Sequence, residues 1–106
     1  MRNLSDLIHG SLTDYDIEYR IHATCRIFQR DIHEDDIELV LRAGTVIEQY
    51  DDDFPLPSVL INGRTSTNRP LHLVTGVNRP EQKLVIITAY EPDPVKWTDN
   101  FSRRAE

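Results

Sequence analysis

An α+β fold, two main helices packed on a four-stranded antiparallel sheet, is the architecture this sequence predicts. Three observations carry the layer pattern. Apolar residues recur at helical spacing as far as Gly44 and alternate by two beyond it. A strong helix start stands at residues 32–37. Four β-branched, alternating runs then follow one another through short polar turns, which favours an antiparallel sheet with the helices on it. A length of 106 residues suits one domain, 1–106, with one core.

At the N-terminus, "RNLSDLIHG" can form a short helix ending at Gly10, and "DYDIEYR" an edge strand or a lead-in to the next helix. Residues 21–30 read as a helix with Ile21, Cys25 and Phe28 on the apolar face, continuing towards Ile32. His22, Arg26, Gln29 and Arg30 then lie on another face. With His33 as N-cap, Ile32 and Ile37 form a hydrophobic staple, and Glu34, Asp35 and Asp36 fill the first turn, where the helix dipole favours anions. The helix 34–43 buries Ile37, Val40 and Leu41 and ends at Gly44. Strands are expected near 45–50, 58–63, 70–77 and 83–91, the last being the most apolar and therefore central. Pro92 and Pro94 stop it, and Trp97 and Phe101 anchor an irregular tail to the core. The expected main cluster is Ile21, Cys25, Phe28, Ile37, Val40, Leu41, Leu73, Val85 and Ile87.

Composition narrows the function classes. Apolar residues make up 39% and charged residues 28%, a soluble globular balance. No apolar run approaches a membrane span, and the first residues lack the apolar stretch of a signal peptide. The single cysteine, Cys25, excludes an internal disulfide and reads as a buried core thiol; the expected compartment is the cytoplasm. The net charge of −6 argues against a nucleic-acid partner, yet its distribution is uneven. Residues 1–53 carry 13 acids against 5 Arg/Lys, whereas residues 54–106 carry 5 against 7. Arginine outnumbers lysine 10 to 2, a bias that suits bidentate phosphate or carboxylate contacts as well as buried pairs.

Four segments, "IHATCRIFQRDI", "VLRAGTVIEQY", "RPLHLV" and "ITAYEPDPVKW", occur in an order that resembles the prokaryotic domain-of-unknown-function family 4258. The resemblance runs from about residue 17 to residue 104. In "NGRTSTNRPLH" the stretch before the histidine is longer than the family's pattern, which leaves Arg64 and Arg69 competing for the family's arginine; Arg69, directly before "PLH", is assigned to it. The family's helices followed by an antiparallel sheet are similar to the RelE-type toxin fold and so, by analogy of fold, to small ribonucleases.

That analogy gives two histidines a chemical meaning. Metal-independent RNA cleavage needs a base at the 2′-hydroxyl, an acid at the leaving oxygen and cations around the phosphate. His22 and His72 are the candidate acid and base, with Arg26 and Tyr90 completing the catalytic set. Arg26 stands one turn after His22 on the same helix face. Arg30 and Arg69 are the candidate phosphate ligands, and Trp97 is placed to stack on a base. The expectation is that His72 projects from the sheet towards the helix of His22, both partly exposed in one cleft. No metal or cofactor motif is read; Asp51, Asp52 and Asp53 form a solvated turn. Possible partners are RNA, a cognate antitoxin or another protein, and no membrane. The competing reading is a non-catalytic partner-binding or regulatory domain, in which the same residues form a polar network locking elements together.

Overall fold

The computed structural model describes residues 2–8 and 11–105. Two single turns of 3-10 helix, Leu4–Asp6 and Leu12–Asp14, lead into strand β1 (Asp16–Tyr19). Helices α1 (Ile21–Gln29) and α2 (Glu34–Ala43) follow, then β2 (Thr45–Tyr50), β3 (Ser58–Arg64), β4 (Pro70–Asn78) and β5 (Lys83–Tyr90). The tail adds a two-residue ribbon, β6 (Trp97–Thr98) against β7 (Arg103–Arg104). Only the Leu4–Asp6 turn of the N-terminal helix expected at 2–10 forms; Gly10, its expected end, lies outside the described residues.

The α+β class holds, and the sheet differs from the one expected. It has five strands in the order β1-β5-β4-β3-β2, with β1 parallel to β5 and the other pairs antiparallel. "DYDIEYR" is the additional strand. The two helices provide the crossover that lets β1 run parallel beside β5, because a parallel pair cannot be closed by a hairpin.

Both helices cover one face of the sheet. Ile37, Val40 and Leu41 of α2 pack with Val59, Ile61, Leu71, Leu73, Leu84 and Ile86 in one cluster. His33 is the N-cap residue of α2, though its side chain makes no capping bond, and the acidic first turn follows it. Ile32 and Ile37 are both buried. Asp36, buried in that first turn, accepts from the Ser66 amide at 3.2 Å and fastens the loop before β4 to the helix. Gly44 ends α2 in extended backbone, so its requirement is space: a Cβ there would stand 2.6 Å from Ile61 Cγ2.

α1 is rotated away from its expected face. Ala23 and Ile27 are buried, while Ile21, Cys25 and Phe28 point to solvent, Ile21 81% and Phe28 86% exposed. Anchors at both ends set that rotation. The Arg20 amide donates to Ile86 O at 3.3 Å, and the Arg30 guanidinium donates to Ala89 O at 2.7 Å. Small Ala23 and Ala89 allow close approach of helix to strand. The expected burial of Ile21, Cys25 and Phe28 is therefore corrected.

Ile87 is the fourth departure from the expected core. β4 and β5 slip by one between Val74↔Thr88 and Thr75↔Ile86, leaving Ile87 as a bulge and partly exposed. An extra residue reverses the alternation downstream of it. Ala89 joins the helix-covered core, and Tyr90 moves to the opposite face. Tyr90 therefore does not share a face with Leu84 and Ile86, as uninterrupted alternation predicts. Ile37, Val40, Leu41, Leu73 and Val85 are buried as expected.

Candidate functional site

The opposite face of the sheet is covered by the tail, and His72 lies beneath it. On β4 its neighbours Leu71 and Leu73 belong to the helix-covered cluster, so alternation turns His72 the other way. It is 0% exposed, with Asn62 of β3 and Tyr90 of β5 beside it in register. Nε2 is 2.8 Å from the Phe101 carbonyl oxygen, and Nδ1 is 3.2 Å from the Tyr90 hydroxyl. A carbonyl only accepts, so Nε2 carries the proton; in the neutral ring Nδ1 then accepts from the phenol. The rings of Trp97 and Tyr90 meet the imidazole edge-on, at centroid distances of 4.5 Å and 5.3 Å. Burial holds the imidazole's pKa below its ordinary value, against the Phe101 carbonyl and the Glu48 charge, which favour the protonated ring.

A second polar group surrounds this one. Arg104 of β7 grips Glu48 of β2 with two donors, Nε at 2.7 Å and Nη2 at 2.9 Å. The same guanidinium lies over the Trp97 ring, 4.9 Å from its centroid. Tyr50 donates its hydroxyl to Glu48. The Arg104 hydrogen bonds lower the Glu48 pKa despite its partial burial. Burial raises both Tyr50 and Tyr90. Nearer the end of the ribbon, Asn62 donates to Asn100 O at 3.0 Å, and Arg64 bonds the Asn100 side chain. Glu48, Tyr50, Asn62, Arg64 and Arg104 were not legible as members of this cluster. Glu48 and Tyr50 share a strand face at two-residue spacing, but nothing in the sequence relates them to Arg104.

Arg69 lies in a different place. With Arg30, Ile32, Tyr90 and Glu91 it lines an open cleft of about 350 Å³ at the end of β5. Its guanidinium donates to Asp31 O at 2.9 Å and pairs with Glu91 at 3.1 Å. Three expected site residues, Arg30, Arg69 and Tyr90, thus converge here, and Tyr90 connects this cleft to the buried His72. His22 and Arg26 stand exposed on α1, which packs on the other face of the sheet. The expected shared cleft of His22 and His72 is not formed, because the α1 anchors and the strand alternation place the imidazoles on opposite sides. Trp97 is buried against His72 and holds the tail, which leaves its ring no free face towards a base.

Among the described residues no group of three or more His, Cys, Asp or Glu is arranged to hold a metal ion. No helix among them is long and apolar enough to cross a membrane. A family model described as Domain of unknown function (DUF4258) matches residues 19–91, from the end of β1 to just beyond β5. No curated protein matches the chain, and no solved structure does.

Proposed function

The chain belongs to the domain-of-unknown-function family 4258, a membership that assigns no activity, and we propose that it is a non-catalytic partner-binding domain. One observation carries this reading: His72, the histidine best placed by sequence for chemistry, is sealed and has both ring nitrogens engaged by the protein itself. A base in that state has no lone pair to offer a substrate, and its acid–base counterpart on α1 is on the other side of the sheet. The cluster of His72, Tyr90, Trp97, Glu48 and Arg104 then serves to lock the tail to the sheet.

The test runs two measurements in parallel. The full chain is incubated with end-labelled single-stranded RNA in EDTA, and the accessibility of residues 98–105 is followed by limited proteolysis. The expected outcome is no cleavage of RNA, with faster proteolysis of the tail in His72→Asn. Metal-independent RNA cleavage that Tyr90→Phe abolishes, without a change in melting temperature, would overturn the reading.

One observation favours a second reading, a small metal-independent ribonuclease of toxin type with RNA as substrate and a cognate antitoxin as partner. Arg30, Arg69 and Tyr90 share an open cleft, and two guanidinium groups beside a phenol suit a phosphate. Glu91 in the same cleft opposes an anion, which is why this reading ranks second.

A further inference from the structure

The outward ridge of α1 is where the partner-binding reading gains a surface. Ile21, Cys25 and Phe28 follow one another at i, i+4 and i+7, so their side chains form one continuous row. At about 100° per residue that row lies roughly 150° round the helix from Ala23 and Ile27, the two residues that face the sheet. It is not the edge of a core. It is a separate apolar strip, exposed along the whole nine-residue helix. Ordinary surface helices reverse this arrangement, with their polar side turned to water.

The charges of α1 and its two cap residues are of one sign, and Glu18, at the cleft before the helix, is an acid at the N-terminal end of the strip. Residues 20–30 contain Arg20, His22, Arg26 and Arg30 and no acid, in a chain whose total is −6. No carboxylate among the described residues forms an ion pair with Arg20 or Arg26. His22 borders the strip on one side and Thr24 on the other, Arg26 stands further round the helix on the His22 side, and Arg20 is the N-cap at the helix start. At the N-terminal end, Glu18, Tyr19, Arg20, Ile21 and His22 line a cleft of about 600 Å³, large enough to take a side chain from whatever lies along the helix.

We propose that this ridge docks an amphipathic helix of another protein, one whose apolar row is bordered by acidic side chains. The proposal rests on the partner-binding reading above and names its surface. An apolar row on a helix packs best into the groove between rows of a second helix. Two guanidinium groups without a carboxylate select acidic borders on that helix. Other occupants fit less well. An anionic membrane presents a charged plane, and the exposed Asp31, Glu34 and Asp35 just beyond α1 would meet it too. A second copy docking ridge to ridge would bring the arginines of one helix against those of the other, since α1 and its caps hold cations and no acid. Three side chains also make a small contact, so the complex belongs at the weak, transient end of the interface range.

The experiment uses the full chain and two synthetic helical peptides. Both carry leucines at i, i+4 and i+7; one has glutamates along the borders and the other has lysines. Affinities come from fluorescence anisotropy and the contact surface from amide chemical-shift changes. The acidic peptide should bind at least tenfold more tightly than the basic one, with shifts centred on Ile21, Cys25 and Phe28. Phe28→Ser should weaken it at least tenfold. The pair Arg20→Glu with Arg26→Glu should reverse the preference, so that the basic peptide binds more tightly. Equal affinity for the two peptides, or no reversal in the charge-swapped protein, overturns the proposal. So does binding only to phosphatidylserine vesicles, or self-association that Phe28→Ser abolishes while neither peptide binds. Acidic-peptide binding that maps to a different face overturns the ridge but leaves the partner-binding reading intact, whereas RNA cleavage in the earlier assay removes that reading itself.

Discussion

The two faces of the sheet are closed by different chemistry. One is covered by α1 and α2 through aliphatic side chains, with no charged group in the cluster. The other is covered by the tail through a buried imidazole, two phenols, an indole and an Arg–Glu pair. Aliphatic packing tolerates small shifts and loses free energy in proportion to the volume removed. A polar cover depends on each partner being present, because a lone buried donor or acceptor loses its solvation without compensation. The difference teaches that the helix face carries most of the stability, and that the tail face sets a unique arrangement of the last residues.

The largest effect is expected on the helix face. Leu73→Ala should destabilise the chain by about 2–5 kcal/mol, since Leu73 is fully buried in the centre of the cluster; urea unfolding measures it. A smaller value there would break the ranking of the two faces. On the tail face, His72→Ala should cost about 1–3 kcal/mol, from leaving the Tyr90 hydroxyl and the Phe101 carbonyl without partners. Proteolysis should then begin between residues 98 and 105 before the sheet unfolds.

Acid should act on the tail face first. The folded pKa of His72 is depressed, so below its ordinary value of 6.5 the unfolded chain binds a proton that the folded chain refuses. Stability therefore falls as pH drops through and below that value. A further loss begins below the ordinary value of 4.5 for Glu48, whose folded pKa is also lowered. The urea midpoint followed from about pH 8 to about pH 4 should show both steps, and His72→Asn should remove the first.

Two smaller effects sharpen the comparison. Thr75 is fully buried among the helix-face residues, and its hydroxyl has no hydrogen-bond partner. Thr75→Val should raise stability by about 1 kcal/mol, detected as a higher melting temperature, because it removes that unsatisfied group with little change of shape. Phe28→Ser should change stability by no more than about 0.5 kcal/mol, since its side chain packs on neither face. Exposed Cys25 on the same ridge should react with a maleimide in the folded chain as readily as in urea.

Strands and helices were legible in the sequence because periodicity reports local geometry. Glu34–Ala43 and Thr45–Tyr50 fall on their expected ranges, and β3 to β5 lie within a residue or so of theirs. What periodicity does not give is the direction in which a pattern faces. α1 holds two apolar rows at helical spacing, Ile21–Cys25–Phe28 and Ala23–Ile27, and the larger row is the one a hydrophobic criterion selects. Backbone and side-chain bonds to Ile86 O and Ala89 O decide otherwise, and those partners lie some sixty residues away. The position of His72 was legible to the extent that it alternates with Leu71 and Leu73. That a tail of short strands, rather than a helix, would cover it was not, since Trp97 and Arg104 meet β4 and β2 only after the chain has doubled back.

The bulge at Ile87 has a bearing on how relatives of this chain should be aligned. Ile87 is the one unpaired residue of the bulge, so its loss would close the ladder with Thr88 still opposite Val74, keeping Ala89 in the core and Tyr90 on the tail face. Val85 and Ile86, upstream, would keep their sides. A one-residue gap at this point is therefore absorbed by the bulge, and every later position in the strand keeps its face, including the one that supplies His72 with its donor. Two sequences that match letter for letter around "TAY" but differ by this one residue just before it would place the same tyrosine on the same side of the sheet, although its parity along the strand differs.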